Sequence, residues 1–303
     1  MGSSRFSLPS LELLLKSSHQ VVGVVTRPDR PRGRGRKLVP GPVKEFAQEA
    51  KLPLFQPEDL KEQGFLEALR GLKPDLGVVV AFRILPPEVF TIPSKGTINL
   101  HASLLPRYRG AAPINWAIIR GEKVTGVTTF FINEGIDTGK VILQRSTQIG
   151  DQETAGQLAE RLAKWGAEVL LETVELIDQG KARPEEQPKG KATPAPKLRK
   201  SDGLIDWNQG AEPIRNLIRG LNPEPGAFTY FRGKILKIYR VSHFPSHLPP
   251  GKPGEVVEAL QRFVVSTKDG LLSLDEVQPQ DRGKMKGEDF LRGYRPRPGE
   301  VLG

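Results

Sequence analysis

The sequence predicts an α/β fold class: a doubly wound, mostly parallel sheet followed by a small β-barrel. Three observations carry this. Over roughly the first 145 residues, short apolar runs without a polar face alternate with amphipathic stretches, as strands covered on both sides by helices do. From Arg183 a proline-broken stretch without apolar periodicity interrupts the chain. Five short strand-like segments then crowd between Ala227 and Val277, a density that fits a barrel.

The elements follow in order. Residues 21–25, 76–80 and 96–100 read as short buried strands, with helices expected over 9–16, 42–51 and 65–72. Two further strands, 124–132 and 140–146, flank the turn Gly135-Ile136-Asp137-Thr138-Gly139. Thr154 and Gln157 have capping-box spacing and open a long helix whose apolar face runs through Leu158, Leu162, Trp165 and Val169. Segments 227–231, 234–241, 254–259, 262–267 and 270–277 supply the barrel, of the oligonucleotide-binding type. The expected division is an α/β domain over 1–182, a basic semi-extended linker over 183–203 and a barrel domain over 204–303.

Composition narrows the chemistry. A chain of 303 residues suits two compact domains, and the absence of cysteine excludes disulfides, thiolate metal sites and thiol nucleophiles. The apolar run 76–82 is too short to span a bilayer, and Arg5, Glu12 and Lys16 break any signal-like core, so a soluble chain of a reducing compartment is expected. The net charge of +10 is uneven: residues 27–37 alone carry +5, and residues 181–303 carry +7. Clustering of this kind suits a polyanion as well as it suits a solvated loop.

Several devices are missing. There is no phosphate-binding Gly-x-x-x-x-Gly-Lys loop and no Gly-x-Ser-x-Gly elbow. His243 and His247 have the spacing of helical zinc ligands, but Pro245 between them opposes a helix. Asp137-Thr138-Gly139 matches half of an aspartic-protease pair and has no second copy. What remains is Asn99-Leu100-His101-Ala102-Ser103-Leu104-Leu105-Pro106, running on from a buried strand. Two residues apart on extended chain, Asn99 and His101 leave the same face, at the strand end where open α/β sheets bind ligands. An amide beside an imidazole can steady an oxyanion, although a turn cap and a structural histidine explain the same pair. Asp137 could serve that crevice or simply make a turn.

These residues carry a resemblance. The run from Asn99 through Arg107-Tyr108-Arg109-Gly110-Ala111-Ala112-Pro113-Ile114 resembles the methionyl-tRNA formyltransferases, a branch of the 10-formyltetrahydrofolate-dependent transferases. So do Thr125-Gly126-Val127-Thr128, Glu134-Gly135-Ile136-Asp137-Thr138-Gly139, Arg219-Gly220-Leu221-Asn222-Pro223 and Gly287-Glu288-Asp289-Phe290-Leu291-Arg292-Gly293, with a basic insertion over 27–42. The resemblance implies formyl transfer from 10-formyltetrahydrofolate to the methionine amino group of initiator tRNA, by a cytoplasmic monomer of bacterial type with no membrane partner and no metal. It implies Asn99, His101 and Asp137 as the catalytic trio. Ser103, Leu104, Leu105 and Pro106 are implied as the folate-binding segment, and Arg32, Arg34, Arg36 and Lys37 as tRNA contacts.

Two departures stand out. The family's Ala-Tyr-Gly-x-Ile-Leu-Pro loop is here Ala81-Phe82-Arg83-Ile84-Leu85-Pro86, one residue shorter and without the glycine. The family also opens on an apolar strand, whereas Met1-Gly2-Ser3-Ser4 starts at the turn after it, so a strand ahead of Met1 is expected. Two rival readings differ in acceptor or class: formylation of a nucleotide-sugar or purine-precursor amine, and RNA binding without catalysis.

Overall fold

The computed structural model describes residues 1–32, 37–245 and 251–303, and of Arg32 and Lys37 only the backbone. The chain forms two compact units, Met1–Gly110 with Thr125–Thr147 and Ala159–Ala195, and Ala111–Val124 with Gln148–Leu158 and Pro196–Gly303.

In order, the chain forms α1 (Leu8–Lys16), β1 (Val24–Val25), β2 (Arg30–Arg32), β3 (Lys37–Val39), α2 (Pro42–Glu49), β4 (Leu54–Phe55), α3 (Gln63–Gly71), β5 (Gly77–Val80), α4 (Pro87–Phe90) and β6 (Thr97–His101). β7 (Arg109–Gly110), α5 (Pro113–Ile119), β8 (Val124–Phe131), β9 (Val141–Gln148), α6 (Ala155–Asp178) and β10 (Pro194–Ala195) follow. In the first unit β5 pairs with β6 in parallel, as the apolar runs predict, and β1 pairs in parallel with β4, a two-residue strand that those runs do not mark. β8 then turns antiparallel to β6, with Thr128 opposite His101, and β9 lies beside β8. The capping box forms as expected, Thr154 N–H donating to Gln157 Oε1 and Gln157 N–H to Thr154 Oγ1. α6 covers the sheet at Gly166, where an added Cβ would meet Leu100 and Val127 at 3.1 and 3.4 Å.

Met1 and Gly2 sit between the ends of β1 and β5. Gly2 N–H donates to Val25 O, Val80 N–H to Met1 O, and the Met1 amine to Val78 O. Burial pulls that amine down to a pKa of about 5. Behind them lies a cavity of about 290 Å³ lined by residues including Val21, Gly23, Leu72, Val78 and Val174. Val24 and Thr26 turn their N–H groups toward Pro53 and Phe55. Strand alternation therefore turns the backbone groups of Gly23 into this cavity, and those of Val78 likewise from β5. An extension of about five apolar residues ahead of Met1, the usual strand length, is expected to fill it. A gain of ~2 kcal/mol, a fraction of what filling such a volume returns at roughly 24 cal/mol per Å³, raises the melting temperature by about 4 °C or more. Calorimetry against a Gly-Ser extension of equal length checks this.

The second unit holds η-turn 200–203, α7 (Ala211–Gly220), β11 (Ala227–Phe231), β12 (Lys234–His243), β13 (Val256–Glu258), β14 (Val264–Ser266), β15 (Leu271–Pro279), β16 (Met285–Lys286) and α8 (Gly287–Tyr294). Its sheet has the order β11-β12-β15-β14-β13, with β16 on β15. The last residues join its two ends: Gly299 and Leu302 donate to Val256 and Gly254, and Gly303 to Tyr230 of β11. Trp207, Ile214, Ile218, Ile238, Phe263 and Phe290 fill the core.

The run beginning at Arg219 proves structural. The Arg219 and Arg215 side chains, 5% and 7% exposed, donate to the carbonyls of Gly150, Asp151 and Glu153, and so fix the loop that opens α6. At Gly220 an added Cβ would lie 2.6 Å from Ile119 Cγ1.

Candidate active site

β6 lies between β5 and β8, and its last residues point to the site. His101 is 6% exposed. Its Nε2 lies 2.8 Å from Tyr108 O, and because a carbonyl only accepts, Nε2 carries the proton. Nδ1 is left facing Asp137 Oδ2 at 3.6 Å. The distance exceeds a direct hydrogen bond and suits an ion pair whenever the ring takes a second proton. Asn99, half-buried, stands two residues back on the same strand.

Asp137 is held in the left-handed region at φ 54°, a conformation an aspartate tolerates but does not prefer. Local bonds shape its loop: Asn133 Oδ1 accepts from Thr138 Oγ1 at 2.7 Å and from Gly135 N–H at 3.2 Å. Gly139 is obligatory, since a Cβ there would fall on Phe131 O. The carboxylate oxygen facing His101 also accepts Gly110 N–H at 2.8 Å.

The Ser103-to-Pro106 segment is pinned by one hydroxyl. Thr128 Oγ1, fully buried, donates to Ser103 O at 2.7 Å and accepts from Leu105 N–H at 3.2 Å and Gln144 Nε2 at 2.9 Å. Gln144 also donates to Leu105 O at 2.9 Å, and Ser103 Oγ to Arg107 O at 2.6 Å. The segment's backbone is thereby fixed from β8 and β9, a role for Thr128 and Gln144 that residue spacing alone does not show. In the shortened loop, Arg83 reaches back to the carbonyls of Pro57 and Glu58, and Ile84 is exposed.

Of the basic residues, Arg32 and Lys37 are register partners in the antiparallel β2–β3 pair, while Arg34 and Arg36 lie outside the described residues. The one acid of that loop, Asp29, is taken up internally. Lys44 Nζ, 2.5 Å away, and Gln56 hold its carboxyl below the usual range. It thus offsets little of the loop's positive charge. His243 contacts Glu212 at 3.1 Å, and His247 lies outside the described residues. Among the described residues no group of three or more His, Asp or Glu could hold a metal ion, and no helix is long and apolar enough to cross a membrane.

The formyl transferase family matches residues 2–174, and its carboxyl-terminal domain family matches residues 197–295. A methionyl-tRNA formyltransferase of Pelotomaculum thermopropionicum is 48% identical over 100% of this chain and 97% of its own length. Another, of Syntrophus aciditrophicus, is 46% identical with the same coverage. Among solved structures, an N-formyltransferase of Helicobacter canadensis bound to folinic acid and dTDP-3-aminofucose superposes with a TM-score of 0.66. At 20% identity over 92% of this chain and 97% of that one, it speaks for the fold alone. A strand-end histidine beside a loop aspartate, set in a chain that two such families cover almost from end to end, places this protein in the formyl transferase family.

Proposed function

We propose that the chain transfers a formyl group from 10-formyltetrahydrofolate to the α-amino group of methionine on initiator tRNA. The observation that carries this reading is the His101–Asp137 pair at the end of β6, in a chain 48% identical along its whole length to a methionyl-tRNA formyltransferase.

The uncharged amine attacks the formyl carbon and a tetrahedral oxyanion forms. Asn99 offers an amide N–H to that oxygen. His101 has Nε2 bound to Tyr108 O, so Nδ1 is the atom left for chemistry. A proton there sets positive charge beside the oxyanion, with Asp137 as counter-ion. Asp137, the more exposed of the two side chains at 16% against 7%, takes the proton that the attacking nitrogen sheds. Collapse restores the carbonyl and breaks the bond from formyl carbon to folate nitrogen, which takes that proton from Asp137 and leaves as tetrahydrofolate. Ser103, Leu104, Leu105 and Pro106 form the folate-facing wall, kept rigid by Thr128 and Gln144. Arg32, Arg34, Arg36 and Lys37 meet tRNA phosphates. The protein acts as a monomer in the bacterial cytoplasm, where charged tRNA is found, with no membrane partner.

One assay decides the acceptor: 10-formyltetrahydrofolate with charged initiator tRNA, charged elongator tRNA, or an amino-sugar nucleotide. Formylation of the initiator alone is expected. Turnover on the amino sugar, or on none of the three, overturns the reading.

A further inference from the structure

The segment after α6 is polar and proline-rich, and Glu185, Glu186, Pro188 and Lys189 on it are exposed. Gln187 among them is 8% exposed. Its Nε2 donates to Asp137 O and to Gly139 O, both at 2.9 Å. A carboxamide nitrogen has two N–H groups, so both bind the loop that carries Asp137. Its Oε1 accepts from Arg109 Nη2 at 2.6 Å and Nε at 3.2 Å. Arg109 in turn precedes Gly110, whose N–H meets Asp137 Oδ2. Together these bonds close a ring: Asp137 backbone, Gln187, Arg109, Gly110 and back to the Asp137 carboxylate.

The glutamine is itself held from both sides. Glu185 exchanges two backbone hydrogen bonds of 2.8 Å with Val141, and Pro194–Ala195 runs parallel to Arg109–Gly110. Asp137 in its left-handed conformation is not favoured by its own backbone, so external bonds must keep it there. We infer that Gln187 is a positioning residue, which sets the reach of the Asp137 carboxylate toward His101 and the attacking amine. The inference rests on the catalytic reading of Asp137 given above.

Gln187→Glu tests it. The variant keeps an oxygen for Arg109 but replaces the donor nitrogen by a second oxygen, which faces two carbonyls. An expected loss of about tenfold or more in kcat reflects a displaced reacting group, with KM for 10-formyltetrahydrofolate little changed. Coupling separates positioning from general support. In an Asp137→Ala background the substitution should leave the residual kcat unaltered, and in an Asn99→Ala background it should multiply the loss. An unchanged kcat in the single variant, or the same fold loss in both backgrounds, overturns the inference. If Asp137→Ala itself turns over like the wild type, the catalytic reading fails instead. Gln187→Ala, followed by circular dichroism, repeats the test should the glutamate variant fold poorly.

Discussion

Asp137→Ala and His101→Ala are each expected to lower kcat by roughly 10²–10³-fold, the usual consequence of removing one group that stabilises a developing oxyanion or moves its proton. The two losses should fall well short of multiplying, because the residues face each other at 3.6 Å and share one charge balance. Asp137→Ala removes the acceptor of Gly110 N–H, and His101→Ala removes one hydrogen bond to Tyr108 O. Each change is local to the loop, so tRNA affinity should stay within about twofold of the wild type, as expected when the phosphate contacts lie elsewhere. Parallel formylation and filter-binding measurements check both halves. Near-wild-type turnover in either variant would remove it from the mechanism.

Neutralising Arg32, Arg34, Arg36 and Lys37 together is expected to do the converse. Each lost phosphate contact lowers the slope of log affinity against log salt by roughly 0.7–0.9, so four should lower it by about 3. At 0.1 M salt that amounts to a loss on the order of 10³ in affinity. Asp29 does not blunt the effect, because Lys44 and Gln56 already hold its carboxylate. Turnover at saturating tRNA should persist. A slope identical to that of the wild type would show the loop to be solvated and nothing more.

Much of the fold is legible in the residues. Regular apolar spacing predicts α1, α2 and α3 to within a few residues of their observed bounds, and the start of α6, because one buried stripe leaves a periodic trace. β1 falls short of its trace. An apolar run over 21–25 predicts five paired residues and only Val24–Val25 enter a ladder, since the positions before them border the cavity beside Met1. Strandness needs a neighbour, and composition does not say whether one is there. The antiparallel turn at β8 is likewise invisible, as buried strands read alike in either direction.

Within the site, Asn99 and His101 are legible as a same-face pair, and Asp137 as a loop carboxylate of open purpose. The proton-fixing carbonyl of Tyr108 is not, because backbone groups leave no trace in residue identity. Gln187 is harder still. It sits among prolines and lysines, and only the backbone pairing of Glu185 and Pro194–Ala195 carries its amide to Asp137. Nothing periodic announces a contact made once.

The Thr128 hydroxyl has a consequence for folding fidelity. β6 and β8 could in principle pair one residue out of step, which would present Val127 or Thr129 to His101 and reverse every side chain between the two faces of the sheet. Apolar residues lie on both sides of β8, so burial alone discriminates poorly between the alternatives. The hydroxyl breaks the tie. Only with Thr128 opposite His101 do Ser103 O, Leu105 N–H and Gln144 Nε2 find their shared partner. A slipped sheet would leave Ser103 O and Leu105 N–H buried and unsatisfied, at about 1–3 kcal/mol each. The atom that steadies the Ser103-to-Pro106 segment thus also proofreads the pairing of the strands beneath it.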